Sequence, residues 1–121
     1  MKFLTLFALS IAIFGLSSAQ GPSGGYTPIE YSDNLENVLD FGVSEALNQA
    51  IDAKELLNTD WQWTNVIDAW IQDVDNGVNY QFFVEMKDVF GHVVKLDVVV
   101  FIDATAETNI SLSHWKLYPG N

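Results

Sequence analysis

The chain has no cysteine, and its five basic residues are all lysine. Without cysteine there is no disulfide framework, so a small domain must be held together by packing alone. Without arginine, and with Lys54, Lys87, Lys95 and Lys116 scattered, there is no basic cluster to displace counterions from phosphate. A formal net charge of −11 sets nucleic acid and anionic lipid aside as expected partners. The same charge is that of a solvated surface that resists aggregation. The apolar run near the N-terminus is too short to span a bilayer, and no later stretch approaches that length.

What is present begins at the N-terminus. Met1-Lys2 supplies a positive end, Phe3 to Leu16 is almost wholly apolar, and Ser17-Ser18-Ala19 places small residues where a signal peptidase cuts. This predicts a secretory signal peptide over residues 1–19, cleaved between Ala19 and Gln20, and a secreted, extracellular product. Removing Lys2 with it makes the remainder more acidic still. Residues 20–121 are expected to form a single domain. Its aromatic and hydrophobic content, 13% and 49% of the whole chain, is that of a packed protein and not of a disordered acidic one.

Gln20 to Pro28 is rich in glycine and proline and reads as a flexible N-terminal arm. Asp33, with Glu36 three residues on, has the form of a capping box that opens a helix. Leu35, Val38, Leu39, Val43, Ala46, Leu47, Ala50 and Ile51 then recur with helical period and draw one apolar stripe. Asp40, Ser44, Asn48 and Asp52 fall opposite. Gly42 in mid-helix costs about 1 kcal/mol against Ala, which predicts close approach to another element. The helix is expected to end near Leu57-Asn58.

From Trp61 the period becomes two. Trp63, Ile67, Ala69 and Ile71 are predicted to share one face of a strand. Asp75-Asn76-Gly77 carries the Asn-Gly hairpin signal. Val78, Tyr80, Phe82, Val84 and Met86 alternate with polar residues, Phe90-Gly91-His92 makes a second turn, and Val94, Leu96, Val98, Val100 and Ile102 alternate again. Asp103 to Thr108 is a polar loop before a last strand from Ile110 to Leu117. One helix followed by strands in series predicts an α+β layout, with one long helix packed across a four- to five-stranded antiparallel sheet.

Chemistry-bearing motifs are scarce. His92 and His114 are far apart and have no cysteine to join them, so no metal site is expected. Asp73, Asp75 and Asn76 mimic the start of a calcium loop, but the glycine comes one position early and the twelfth position from Asp73 is Val84, not Glu. No nucleophile motif or Gly-rich phosphate loop occurs. Neither an enzymatic activity nor a cofactor is therefore expected. Asn109-Ile110-Ser111 is the one sequon for N-glycosylation.

Three segments in order resemble the cystatins, inhibitors of papain-like cysteine proteases. Gly24-Gly25-Tyr26-Thr27-Pro28-Ile29 is similar to the Gly-Gly-aromatic-x-Pro stretch of animal members. Leu39-Asp40-Phe41-Gly42-Val43-Ser44-Glu45 resembles the helix signature Leu-x-Phe-Ala-Val-x-Glu. Gly77-Val78-Asn79-Tyr80 resembles the Gly-x-Asn-Tyr strand that follows the first inhibitory loop. The resemblance implies a cystatin-like fold and a wedge of three parts that reversibly occludes a protease cleft. The parts are an arm ending in glycine, a first hairpin loop reading Gln-x-Val-x-Gly, and a second carrying Pro-Trp.

Carried over, the arm maps onto Gly24 or Gly25. For the first loop, anchoring on Gly77 places Asp73-Val74-Asp75-Asn76-Gly77 over the motif. Anchoring on Gln72 matches Gln72 and Val74 and leaves the glycine one residue late. The second loop maps onto Thr105-Ala106, where Pro-Trp is missing. Trp115 is expected to be a packing residue of the last strand. The implied partner is a papain-like protease. Two carboxylates, Asp73 and Asp75, stand where the family has apolar contact, which leaves a second expectation open, a secreted binding protein that inhibits weakly or not at all. The product is expected to be monomeric, with exposed edge strands leaving a domain-swapped dimer open.

Overall fold

The computed structural model describes residues 25–106 and 109–120. The expected signal peptide over residues 1–19, Gly24 and the first part of the expected arm lie outside the described residues. Thr27–Ile29 forms β1, a 3₁₀ turn covers Asp33–Leu35, and α1 runs from Glu36 to Asp52. Four long strands follow: β2 (Trp61–Val74), β3 (Gly77–Asp88), β4 (Val93–Asp103) and β5 (Ile110–Pro119). They form one antiparallel meander in the order β1-β2-β3-β4-β5. The expected α+β layout is present, with a fifth, short strand. That strand takes in Thr27 and Pro28, which pair with Ile71 and Trp70, so the end of the expected arm belongs to the sheet.

One helix covers one face of the sheet. Leu39, Val43 and Ala46 of α1 meet Phe82, Val84 and Met86 of β3 and Leu96, Val98 and Val100 of β4, and Ala50 is buried one turn further on. These are the alternate residues of two central strands, which is why the period-two pattern was so regular. Ser44, Asn48 and Asp52 are exposed as expected, whereas Asp40, also exposed, reaches back to the sheet, its Oδ1 accepting from the Trp63 Nε1–H at 2.8 Å. Gly42 shows the close approach its cost implied. A Cβ there would stand 2.5 Å from Val100 Cγ2 and 3.1 Å from Val98 Cγ2.

Both ends of the helix differ from expectation. Asp33 does not cap it. The Leu35 N–H instead donates to the Ser32 carbonyl at 2.9 Å, so a tight 3₁₀ turn satisfies a free donor without a side chain. At the other end α1 stops at Asp52 rather than near Leu57-Asn58. The Lys54 N–H donates to Ile51 and the Glu55 N–H to Ala50, the double closure of a Schellman motif. Lys54 occupies the left-handed position with φ of 63°. Ala53 to Leu57 has adequate helix propensity, so packing decides the stop. The Trp61 Nε1–H donates to the Leu57 carbonyl at 2.9 Å and the Thr59 hydroxyl to Asp88 at 2.8 Å, which draws the connection onto the sheet.

The face assignment in β2 needs correction at Ile67. Trp63 pairs with Met86 and Asn65 with Glu85, leaving Thr64 extra; Val66 pairs with Val84 and Asp68 with Phe83, leaving Ile67 extra. Each bulge moves the alternation by one residue. Val66 therefore packs toward the core and Ile67 is exposed, while Ala69 returns to the inner face. A third bulge at Ser113, between the Val100–Leu112 and Val99–His114 pairs, lets Leu112 and Trp115 both face the helix.

The opposite face, with no helix over it, is also closed in its centre. Trp70, Gln81, Phe83 and Val99 are all buried there. Phe83 meets Tyr118 edge-on at 5.7 Å, and the Gln81 Nε2–H donates to Asp97 at 2.8 Å.

Candidate functional site: the loop edge

Three stretches far apart in sequence meet at one end of the sheet. They are Gly25, the β2–β3 hairpin and the β4–β5 loop. Antiparallel pairing dictates this, since β1 begins, β2 ends and β4 ends on the same side. Gly25 has φ of +87° and lies beside Gln72; a Cβ on it would stand 3.4 Å from the Gln72 Nε2. Gln72 is not at a loop tip. It pairs with Asn79 across the ladder, and the Asn79 Nδ2–H donates to its Oε1 at 2.9 Å.

The first loop is a two-residue turn. Val74 pairs with Gly77, Asp73 pairs with Val78, and Asp75 and Asn76 alone form the tip. The hairpin is therefore centred one residue earlier than Asn-Gly. Among the described non-glycine residues only Lys54 has positive φ, so Asp75 and Asn76 do not form the turn with two positive φ angles that Asn-Gly favours. Gly77 is needed for space. A Cβ there would collide with the Ile102 carbonyl and lie 3.1 Å from the Ala104 nitrogen. Asp73 lies near Tyr80, where burial first and that carboxylate second push the phenol pKa up.

The second loop is organised by Asp103, which sequence reasoning passed over. Its Oδ1 accepts from the Thr105 backbone N–H at 2.8 Å and from the Thr105 hydroxyl at 2.7 Å. Those bonds from Thr105 hold the carboxyl below the usual carboxylate range. An Asp two residues before Thr is a recognisable turn signal. Thr105 and Ala106 are exposed, and the Asn109 N–H donates back to the Ala106 carbonyl at 2.6 Å.

A backbone bond joins the two loops. The Ala104 N–H donates to the Asn76 carbonyl at 2.8 Å. Of the candidate residues, Gly25, Gln72, Asp73, Val74, Asp75, Asn76, Gly77, Thr105 and Ala106 all come to this edge. Trp115 does not; it sits in β5, and its Nε1–H donates to Gln49 of α1 at 2.8 Å. No Lys or Arg occurs at Gly25 or anywhere in residues 72–77 and 103–109, whereas Asp73, Asp75 and Asp103 all do. Among the described residues no group of three or more His, Cys, Asp or Glu could hold a metal ion.

Asp88, at the opposite end of the sheet, was also missed. It is buried and accepts from the Thr59 hydroxyl, from the backbone N–H groups of Phe90 and His92, and pairs with the His92 ring at 2.7 Å. Burial pushes its pKa up, but these hydrogen bonds outweigh burial and bring it down to about 2.

Compared with family models, with curated proteins and with solved structures, the chain matches none.

Proposed function

We propose that the protein is a secreted, cystatin-like inhibitor of papain-like cysteine proteases. It would insert the loop edge into the active-site cleft and occlude it reversibly, with no covalent step and no chemistry of its own. The observation that carries this is the convergence of Gly25, the Asp75-Asn76 turn and the Asp103–Ala106 loop on one edge. The bond from Ala104 to Asn76 ties two of those parts together. A preorganised edge loses little conformational entropy on docking. The likeness of the helix and strand motifs to the cystatin signatures supports the same reading.

The loop tips favour a second reading, a cystatin-fold binding protein without tight inhibition. Neither loop offers an aromatic anchor, and binding energy usually concentrates in such anchors. Asp75 at the first tip must give up water when a cleft closes over it, at a cost of at least about 3 kcal/mol if it stays charged and meets no partner.

Titration of residues 20–121 against papain separates the two readings. The inhibitor reading expects residual activity to fall as equimolar protein is approached at micromolar concentration, and Gly25→Arg to weaken the inhibition. Activity untouched at equimolar micromolar protein overturns it for that protease.

A further inference from the structure

Asn109 sits on the shoulder of the same edge. Its carbonyl accepts from the Asp103 N–H at 3.1 Å while its own N–H donates to Ala106, so its backbone is held on both sides. Asp103 pairs with Gly77, and the next residue, Ala104, bonds to Asn76. The Asn109 position is thus fixed within a few residues of the contact that joins the two loops. Ile110 packs against the core, whereas Asn109 and Ser111 are exposed on either side of it. The Asn109 Nδ2 meets Asp103 Oδ2 at 3.4 Å, at the outer limit of a hydrogen bond, so a substituent on that nitrogen displaces little.

We infer that Asn109 carries an N-linked glycan and that this glycan screens the loop edge, setting how readily a protease docks. The inference rests on the reading of that edge as the protease-binding surface. A lumenal oligosaccharyltransferase would form the bond from Asn109 Nδ2 to C1 of the sugar. The bond from C1 to the lipid pyrophosphate donor breaks, and the amide proton leaves with the released pyrophosphate. The result is a hydrated, bulky chain rooted at a fixed point beside the Asp75-Asn76 turn. The sequence shows the sequon; the antiparallel pairing is what puts it at this end of the sheet and not at the His92 end.

The test uses the full chain expressed in a eukaryotic secretory host. The secreted protein should lose the mass of one glycan on treatment with a peptide-N-glycosidase, with Asn109 converted to Asp. Asn109→Gln and Ser111→Ala should each abolish that shift; a secreted wild-type chain with no shift overturns the site. In the second arm, the protein is titrated against papain before and after enzymatic removal of the glycan. Removal should tighten inhibition by about tenfold, the scale of a few lost contacts. Equal inhibition by the two forms overturns the screening role. Absence of inhibition from both forms overturns the protease reading and the screening role together, while the mass shift still decides the site.

Discussion

The two ends of the sheet use carboxylates in opposite ways. At the closed end, Asp88 is buried in the β3–β4 hairpin and is surrounded by donors from Thr59, Phe90 and His92. At the loop edge, Asp73 near the end of β2 and Asp75 on the turn are both exposed, and the order there comes from the backbone. Asp103 is intermediate: it shapes its own loop through Thr105 yet stays near solvent. A carboxylate stabilises a fold when hydrogen bonds replace the water it loses, and otherwise it stays where water can reach it. The closed end is therefore a structural joint, whereas the loop edge leaves its charge open to solvent.

The comparison breaks most readily at Asp88. Asp88→Ala strips the acceptor from every one of those donors and should give the largest loss of melting temperature of any substitution considered, with inhibition by the remaining folded protein unchanged. The same contrast appears on acidification. Asp88 titrates at about 2 against an ordinary 3.8, so its stabilisation is complete above about pH 4 and is lost as pH falls through about 2. Asp103 is also lowered and works in the same direction. Asp68 and Asp97 are raised, chiefly by burial, so they favour the folded state while protonated and lose that contribution as pH rises through their folded values. Denaturant melts across pH should show greatest stability on the acid side of neutrality, with a steep loss below about pH 4. A stability flat from neutrality to pH 2 would contradict these assignments.

Gly77→Ala comes next. It should destabilise by about 1–3 kcal/mol, because the added methyl meets the Ile102 backbone, which cannot rotate away. Chemical denaturation measures this directly. An effect on inhibition beyond that of stability would show that the spacing between the two loops matters for docking.

Asp75→Val sharpens the comparison from the functional side. Removing a carboxylate that must lose water should tighten inhibition of papain by about tenfold, or ~1.4 kcal/mol, with an unchanged melting temperature. Weaker inhibition instead would mean that Asp75 meets a cation in the cleft. The smallest expected effect lies away from both ends. Lys54→Gly should stabilise by up to about 1 kcal/mol, since glycine takes φ near +60° without the Cβ clash that Lys54 bears.

The apolar stripe of α1 and the alternation of β3 and β4 were legible because each element is amphipathic and one face of it is buried. The packing role of Trp115 was legible from its distance to the end of the last strand. The phase of β2 was not, because a bulge leaves no mark in an alternating pattern until the partner strand sets the register. The helix stop was hidden for a related reason: Lys54 has no local preference for its conformation, and contacts from Trp61 and Thr59 determine it. The candidate residues at the edge could be named in advance, but the Asn76–Ala104 bond and the role of Asp103 could not.

By itself, then, the sequence determined the one long helix and the four long strands, that they share one apolar interior without cysteine, and that few cations are available to any site. Those properties follow from local periodicity and composition. Only the tertiary structure decided that Gly25, Asp75-Asn76, Thr105-Ala106 and Asn109 lie together while Asp88 and His92 lie at the other end. Antiparallel register carries residues distant along the chain to a common edge, and register is set by pairing partners that no local stretch contains.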